Sequence, residues 1–228
     1  SIGASPEMQV MLESLPKSLV VGMGFDLMFS GPGYVHSSVL ELTAAVLVMI
    51  AGIGWGARAI AGDEEDGMLE LTLAHGVGRT RAYAEPALAI VARFVLLGAA
   101  LWLILMGSSE PFQLRLDAGY TTAGVASFTA LAIAIAFVSL AVGATTGSRS
   151  AALGAGAGLA VVSYVANVVG RQSQDWGWLS EVSPFGWAFG RVPIMNGWDA
   201  TGLGLLGGLA AIAFAVGLVA VNRRDILG

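Results

Sequence analysis

Runs of about 20 mostly apolar residues, the length that spans a bilayer core as a helix, recur five times in this chain, at residues 39–60, 86–106, 123–142, 151–169 and 202–221. Each apolar run must bury its backbone polar groups internally, which in hydrocarbon leaves the α-helix as the spanning form. The chain is 56% hydrophobic and only 12% charged, with a mean hydropathy of +0.76, whereas soluble domains carry about 25% charged residues. The expected fold is all-α, a polytopic membrane helix bundle with five spans.

Composition removes several function classes. There is no cysteine, hence no disulfide framework, thiolate metal site or cysteine nucleophile. The net charge is -5 and no basic stripe runs along the sequence, so no nucleic-acid partner is expected. Lys17 is the only lysine, which excludes a Walker-type ATP site. His36 and His75 stand far apart and read as ordinary polar loop histidines rather than a metal pair. No metal site, G-x-S-x-G, H-E-x-x-H or spaced carboxylate pair marks a catalytic centre.

Arginines near the span ends orient the bundle, because cations in short loops stay cytoplasmic. Placing the loop after the first span inside puts Arg58, Arg79, Arg81, Arg93, Arg149, Arg223 and Arg224 on that side and leaves Lys17, Arg115, Arg171 and Arg191 outside. The C-terminus is then cytoplasmic and Ser1 external, so a further upstream span, making six in the intact subunit, is expected. Residues 1–37 form an external segment, and residues 38–228 the transmembrane domain. Met8, Met11, Leu12 and Leu15 follow helical spacing and predict an amphipathic helix over residues 6–15, lying on the membrane or packed on its own protein.

The loop at residues 61–84 is the most structured polar interruption. Asp63, Glu64, Glu65 and Asp66 precede Gly67, then Met68, Leu69, Leu71, Thr72, Leu73 and Ala74 give a short apolar helix that Gly76 and Gly78 can stop, with Arg79 and Arg81 beyond. The acids suit the N-terminus of that helix, where the macrodipole favours negative charge. They also oppose binding to an anionic inner leaflet, so the exposed leucines point to a protein partner.

Other features are read as packing. Gly154, Gly156 and Gly158 in the fourth run, and Gly204, Gly207 and Gly208 in the fifth, include small-xxx-small pairs that let backbones approach closely; Gly154 with Gly158 and Gly204 with Gly208 have that spacing. Pro86 suits a helix first turn. Arg93 can snorkel to the inner interface, Glu41 lies near water, and Asn167 suits a helix–helix hydrogen bond. Residues 170–200 form an external segment holding Trp176, Trp178, Trp187 and Trp198. It is either an interfacial tryptophan anchor or a short re-entrant or interfacial helix around Ser183 to Arg191, opened by Ser183 and Pro184, that closes the outer end of a pathway with Pro184, Phe185 and Trp187.

The sequence resembles the permease subunit of type-2 ABC exporters, and actinobacterial or haloarchaeal members especially. The resemblance rests on Glu64-Glu65-Asp66-Gly67-Met68-Leu69-Glu70-Leu71-Thr72-Leu73 followed by Gly76-Val77-Gly78-Arg79, which matches that family's acidic run between its second and third spans. Flanking it are Glu13-Ser14-Leu15-Pro16, Gly31-Pro32-Gly33-Tyr34, Trp178-Leu179-Ser180, Ser183-Pro184-Phe185-Gly186-Trp187 and Arg223-Arg224-Asp225-Ile226. Two departures are the absence of the family's first span with its preceding cytoplasmic helix, and Ala84-Glu85-Pro86 where a lysine is common. The resemblance implies a coupling loop docked on a separate ABC ATPase subunit, in two copies, which binds ATP and Mg, while this chain holds no cofactor. It further implies a second permease half, identical or related, a surrounding lipid membrane, and outward movement of an amphipathic, drug-like or lipid-like compound. A membrane scaffold or assembly protein without a transport cycle is the alternative, and an integral-membrane enzyme ranks last.

Overall fold

The structure, a computed structural model, describes residues 30–172 and 175–224. The amphipathic helix expected over residues 6–15, Lys17, the Glu13 to Pro16 motif, and Asp225 with Ile226 lie outside the described residues. Every regular element among the described residues is a helix. Five are long and apolar enough to cross a membrane: α1 (Gly31–Glu65), α3 (Arg79–Ser109), α4 (Ala118–Thr146), α5 (Arg149–Gln172) and α9 (Ala200–Arg223). Between them lie the short α2 (Met68–Ala74), α6 (Trp178–Glu181), α7 (Pro184–Phe189) and α8 (Pro193–Asn196). The five expected spans are therefore present, each longer than its apolar run.

Two boundaries differ from expectation for identifiable reasons. Helix α1 starts at Gly31, before residue 39, because Ser30 caps it by accepting the Gly33 N–H at 3.0 Å, with Pro32 in the first turn. It is wound as π-helix over Val35–Ala44 and again over Arg58–Gly62, and it runs through the domain boundary expected at residues 37 and 38. Helix α3 starts at Arg79, so Pro86 lies inside it rather than in its first turn. There the missing N–H removes the intrahelical donor for the Ala82 carbonyl.

The chain forms two compact units, to which every long helix contributes. One takes in the described residues up to Ala45 together with Gly98–Phe128 and Ser163–Leu203. Its centre is both apolar and polar: Phe185 meets Tyr164 and Phe189, with ring centroids 5.4 and 5.9 Å apart, and His36 meets Phe189 edge-on at 5.6 Å. Glu41 accepts hydrogen bonds from Arg171 at 2.7 Å and Asn167 at 3.0 Å, and Asn167 in turn accepts from Ser180 at 3.0 Å. The helix–helix hydrogen bond expected of Asn167 is present. His36 and Glu41 are corrected: both are buried, His36 at 1% exposure, because the earlier start of α1 draws His36 into the packed helix, and Asn167 and Arg171 enclose the Glu41 carboxylate.

The other unit comprises Val46–Leu97, Thr129–Val162 and the chain from Gly204. Tyr83, Phe94, Phe137, Leu140, Ala213 and Val221 form its apolar core with Ile60 and Leu69. The Ser139 hydroxyl reaches the carbonyls of Ile53 at 3.1 Å and Ala152 at 2.9 Å, tying α4 to α1 and α5. Gly156 faces this point, where an added β-carbon would meet Ile53 and Ser139. Gly154, Gly158, Gly204 and Gly208 face open space, so within the chain they are not the tight packing positions expected. Residues 154 and 158 share one helix face and residue 156 lies about 200° away from 154, at 100° per residue; spacing alone does not say which face meets a neighbour.

Candidate docking site after the first span

Helix α2 leaves the end of α1 through a single reversal. Asp66 ends α1 and Gly67 takes φ +70, a left-handed conformation in which glycine avoids a β-carbon clash. Met68–Ala74 then forms the short helix whose bounds the sequence predicts, and the chain enters α3 through Gly76, at φ +83, and Gly78. Leu69 is 4% exposed and belongs to the apolar core, with Leu73 and Val77 packed against it. Met68 and Leu71 turn the other way, at 54% and 56% exposure. One side of α2 thus anchors the helix and the other presents two large apolar side chains.

The acids do not sit at the N-terminus of α2. Asp63, Glu64 and Glu65 form the last turn of α1, where negative charge runs against the macrodipole. Two of them are answered by groups from distant parts of the chain. Glu64 pairs with the Arg224 guanidinium, which also donates to the Ala144 carbonyl at 3.0 Å. Glu65 accepts the backbone N–H of Arg149 at 2.8 Å, so its carboxylate serves the N-terminus of α5, where an anion is favoured. Arg79 donates to the carbonyls of Val221 at 3.3 Å and Arg224 at 2.7 Å, satisfying acceptors that the end of α9 leaves without helical donors.

The residues expected to dock a partner therefore divide in two. Glu64, Glu65 and Arg79 tie helix ends together, and Leu69 and Leu73 hold α2 to the core. Asp66, Met68, Leu71 and Arg81 are exposed, and Arg81 is engaged only with Glu85, at 2.6 Å one helical turn on. Asp63 stands apart, half-buried beside Arg58. Charge composition alone could not separate these roles, because the pairing of Glu64 with Arg224 joins residues 160 positions apart.

Pro184, Phe185 and Trp187, expected at the outer end of a pathway, lie on or beside α7, and the predicted short helix is present. Ser183 opens it as expected: its hydroxyl accepts the Gly186 N–H at 3.3 Å and donates to the Ser163 carbonyl at 2.6 Å. Pro184 and Phe185 are buried, and the Trp187 indole donates to the Glu181 carbonyl at 2.6 Å. Trp176, Trp178 and Trp198 are more than half exposed. Among the described residues no cluster of three metal-binding side chains occurs.

A search of curated proteins returns no match. A family model described as Multidrug efflux system permease Rv1217c, C-terminal domain, matches residues 24–221, which takes in α1 to α8, with α2 and the aromatic segment around α7, and α9 as far as Val221. The chain belongs to this family of multidrug efflux permeases.

Proposed function

We propose that this protein is the membrane-spanning permease subunit of an ATP-driven ABC exporter, moving an amphipathic, drug-like or lipid-like compound outward by alternating access. The observation that carries the reading is the two-sidedness of α2: Leu69 is fixed in an apolar core while Met68 and Leu71 are presented outward. Such a foot transmits force, because a partner gripping Met68 and Leu71 pulls on the core through Leu69. The family match, to permeases named for multidrug efflux, supports the transport assignment.

In this reading α2 and the C-terminus lie on the cytoplasmic side, where Arg79, Arg81, Arg149, Arg223 and Arg224 gather in accord with the positive-inside tendency. A separate ATPase subunit in two copies binds ATP and Mg there and takes α2 into a groove, with Asp66 and Glu70 at its rim. A second permease half completes the transport path, and α7 with Trp187 closes its outer end. This chain supplies mechanical coupling, with no catalytic residue of its own.

The test is copurification of the full chain with its ATPase subunit, combined with efflux of a fluorescent amphipathic dye. Met68→Glu with Leu71→Glu should abolish both, since two buried charges oppose an apolar contact. Unchanged assembly and efflux would overturn the docking role. Assembly without nucleotide-dependent efflux would instead favour the scaffold reading.

A further inference from the structure

Between α1 and α3 lies an open cleft of about 190 Å³, lined on one side by Trp55, Arg58 and Asp63 and on the other by Pro86, Ile90 and Arg93. Both walls belong to helices that are long and apolar enough to cross a membrane. Each wall carries an exposed arginine. The Arg93 guanidinium lies 5.1 Å from the centre of the Trp55 ring, and Arg58 faces Asp63 electrostatically. Among the described residues neither arginine has an ion pair within salt-bridge distance.

A guanidinium stays charged at any ordinary pH and offers five N–H donors in a planar fork. An indole face attracts the cation but accepts none of those hydrogen bonds in full. At the edge of a bilayer the cost of such a charge falls when it meets an anion there. The anion present in quantity at a membrane surface is the phosphate of a lipid, whose oxygens fit the guanidinium fork. Basic pockets between membrane helices take headgroups in this way.

We propose that this cleft seats the phosphodiester headgroup of an anionic membrane phospholipid. Two arginines and one aspartate give the walls a formal charge of +1, which a phosphodiester monoanion neutralises. Inorganic phosphate is in part a dianion at neutral pH and leaves an excess of negative charge beside Asp63. Trp55 lies against the glycerol region, as interfacial tryptophans do. Leu96 and Leu97, one turn beyond Arg93 and 70% and 41% exposed, carry the acyl chain. The lipid closes the flank of two helices whose ends are bound to the docking helix α2, so it steadies α1 against α3 where force from a partner enters.

The experiment is native mass spectrometry of the full chain released from detergent, titrated in turn with phosphatidylglycerol, phosphatidylcholine and inorganic phosphate. Phosphatidylglycerol should be retained over phosphatidylcholine, and inorganic phosphate should not displace it. Arg58→Gln and Arg93→Gln should each lower its retention about fivefold, the weight of one arginine near an anionic headgroup. Asp63→Asn should raise retention, a direction that misfolding does not imitate. Arg223→Gln, on the exposed last turn of α9, should leave retention unchanged. Equal retention of the two lipids, displacement by inorganic phosphate, or a fall with Asp63→Asn would overturn the proposal. Retention is read without nucleotide or ATPase subunit, so its failure leaves the transport reading standing.

Discussion

In each compact unit a carboxylate of helix α1 meets an arginine from late in the chain: Glu41 with Arg171, and Glu64 with Arg224. The two pairs are built differently. Glu41 belongs to a side-chain network, taking Arg171 and Asn167 on the same oxygen while Asn167 accepts from Ser180; its side chain is 11% exposed. Glu64 belongs to a set of helix ends, because its partner Arg224 also donates to the Ala144 carbonyl and lends its own carbonyl to Arg79. One pair solves the problem of a buried charge, and the other that of backbone groups without helical partners. The first should therefore be far less tolerant of losing a member.

The widest separation should come from Glu41→Ala, which leaves the buried Asn167 and the Arg171 guanidinium without their acceptor. Two hydrogen bonds to a charged group are lost together, at about 1.5–3 kcal/mol each, readable as a fall in the unfolding midpoint in detergent. Glu64→Ala should cost about 1.5–3 kcal/mol, the range for a hydrogen bond to a charged group, in the same measurement. Gly147→Ala attacks the second pair from the backbone. Gly147 has φ +66, and a β-carbon there would meet both Arg224 and Glu64, so a loss of about 1–2 kcal/mol from the left-handed conformation alone is expected. The smallest effect belongs to Arg81→Gln, whose partner Glu85 lies beside it on the exposed face of α3; its midpoint should stay with that of the parent. If Glu41→Ala and Glu64→Ala fell together, the distinction between network and helix-end pairing would be lost.

Length and apolarity were legible at once, because a membrane span is written locally in some twenty residues. The bounds of α2 were legible for the same reason, with Gly67 and Gly76 marking each end. What the sequence hid were relations between distant residues. Four adjacent acids look alike, yet Glu64 finds Arg224 and Glu65 finds the Arg149 N–H, while Asp63 is half-buried. The start of α1 was hidden because Ser30 and Pro32 sit among turn-forming glycines that imitate a loop. Gly154 and Gly158 had the right spacing for close packing, but the neighbouring helix lies on the face of Gly156.

The π-winding of α1 over Val35–Ala44 makes chain length itself a determinant. His36 and Glu41 are five positions apart, and their Nε2 and Oε2 atoms lie 3.6 Å from each other; the Thr43 hydroxyl reaches the Ser38 carbonyl over the same interval, at 2.7 Å. In an α-helix two such residues would point about 140° apart. Rewinding to ordinary pitch with all residues kept would turn His36 away from Glu41, whereas an in-frame loss of one codon between them would leave the two four positions and about 40° apart on one face of an α-helix. A relative with the two residues four positions apart in an ordinary α-helix would keep the juxtaposition although its spacing differs, and one with the same spacing but no π-winding would lose it.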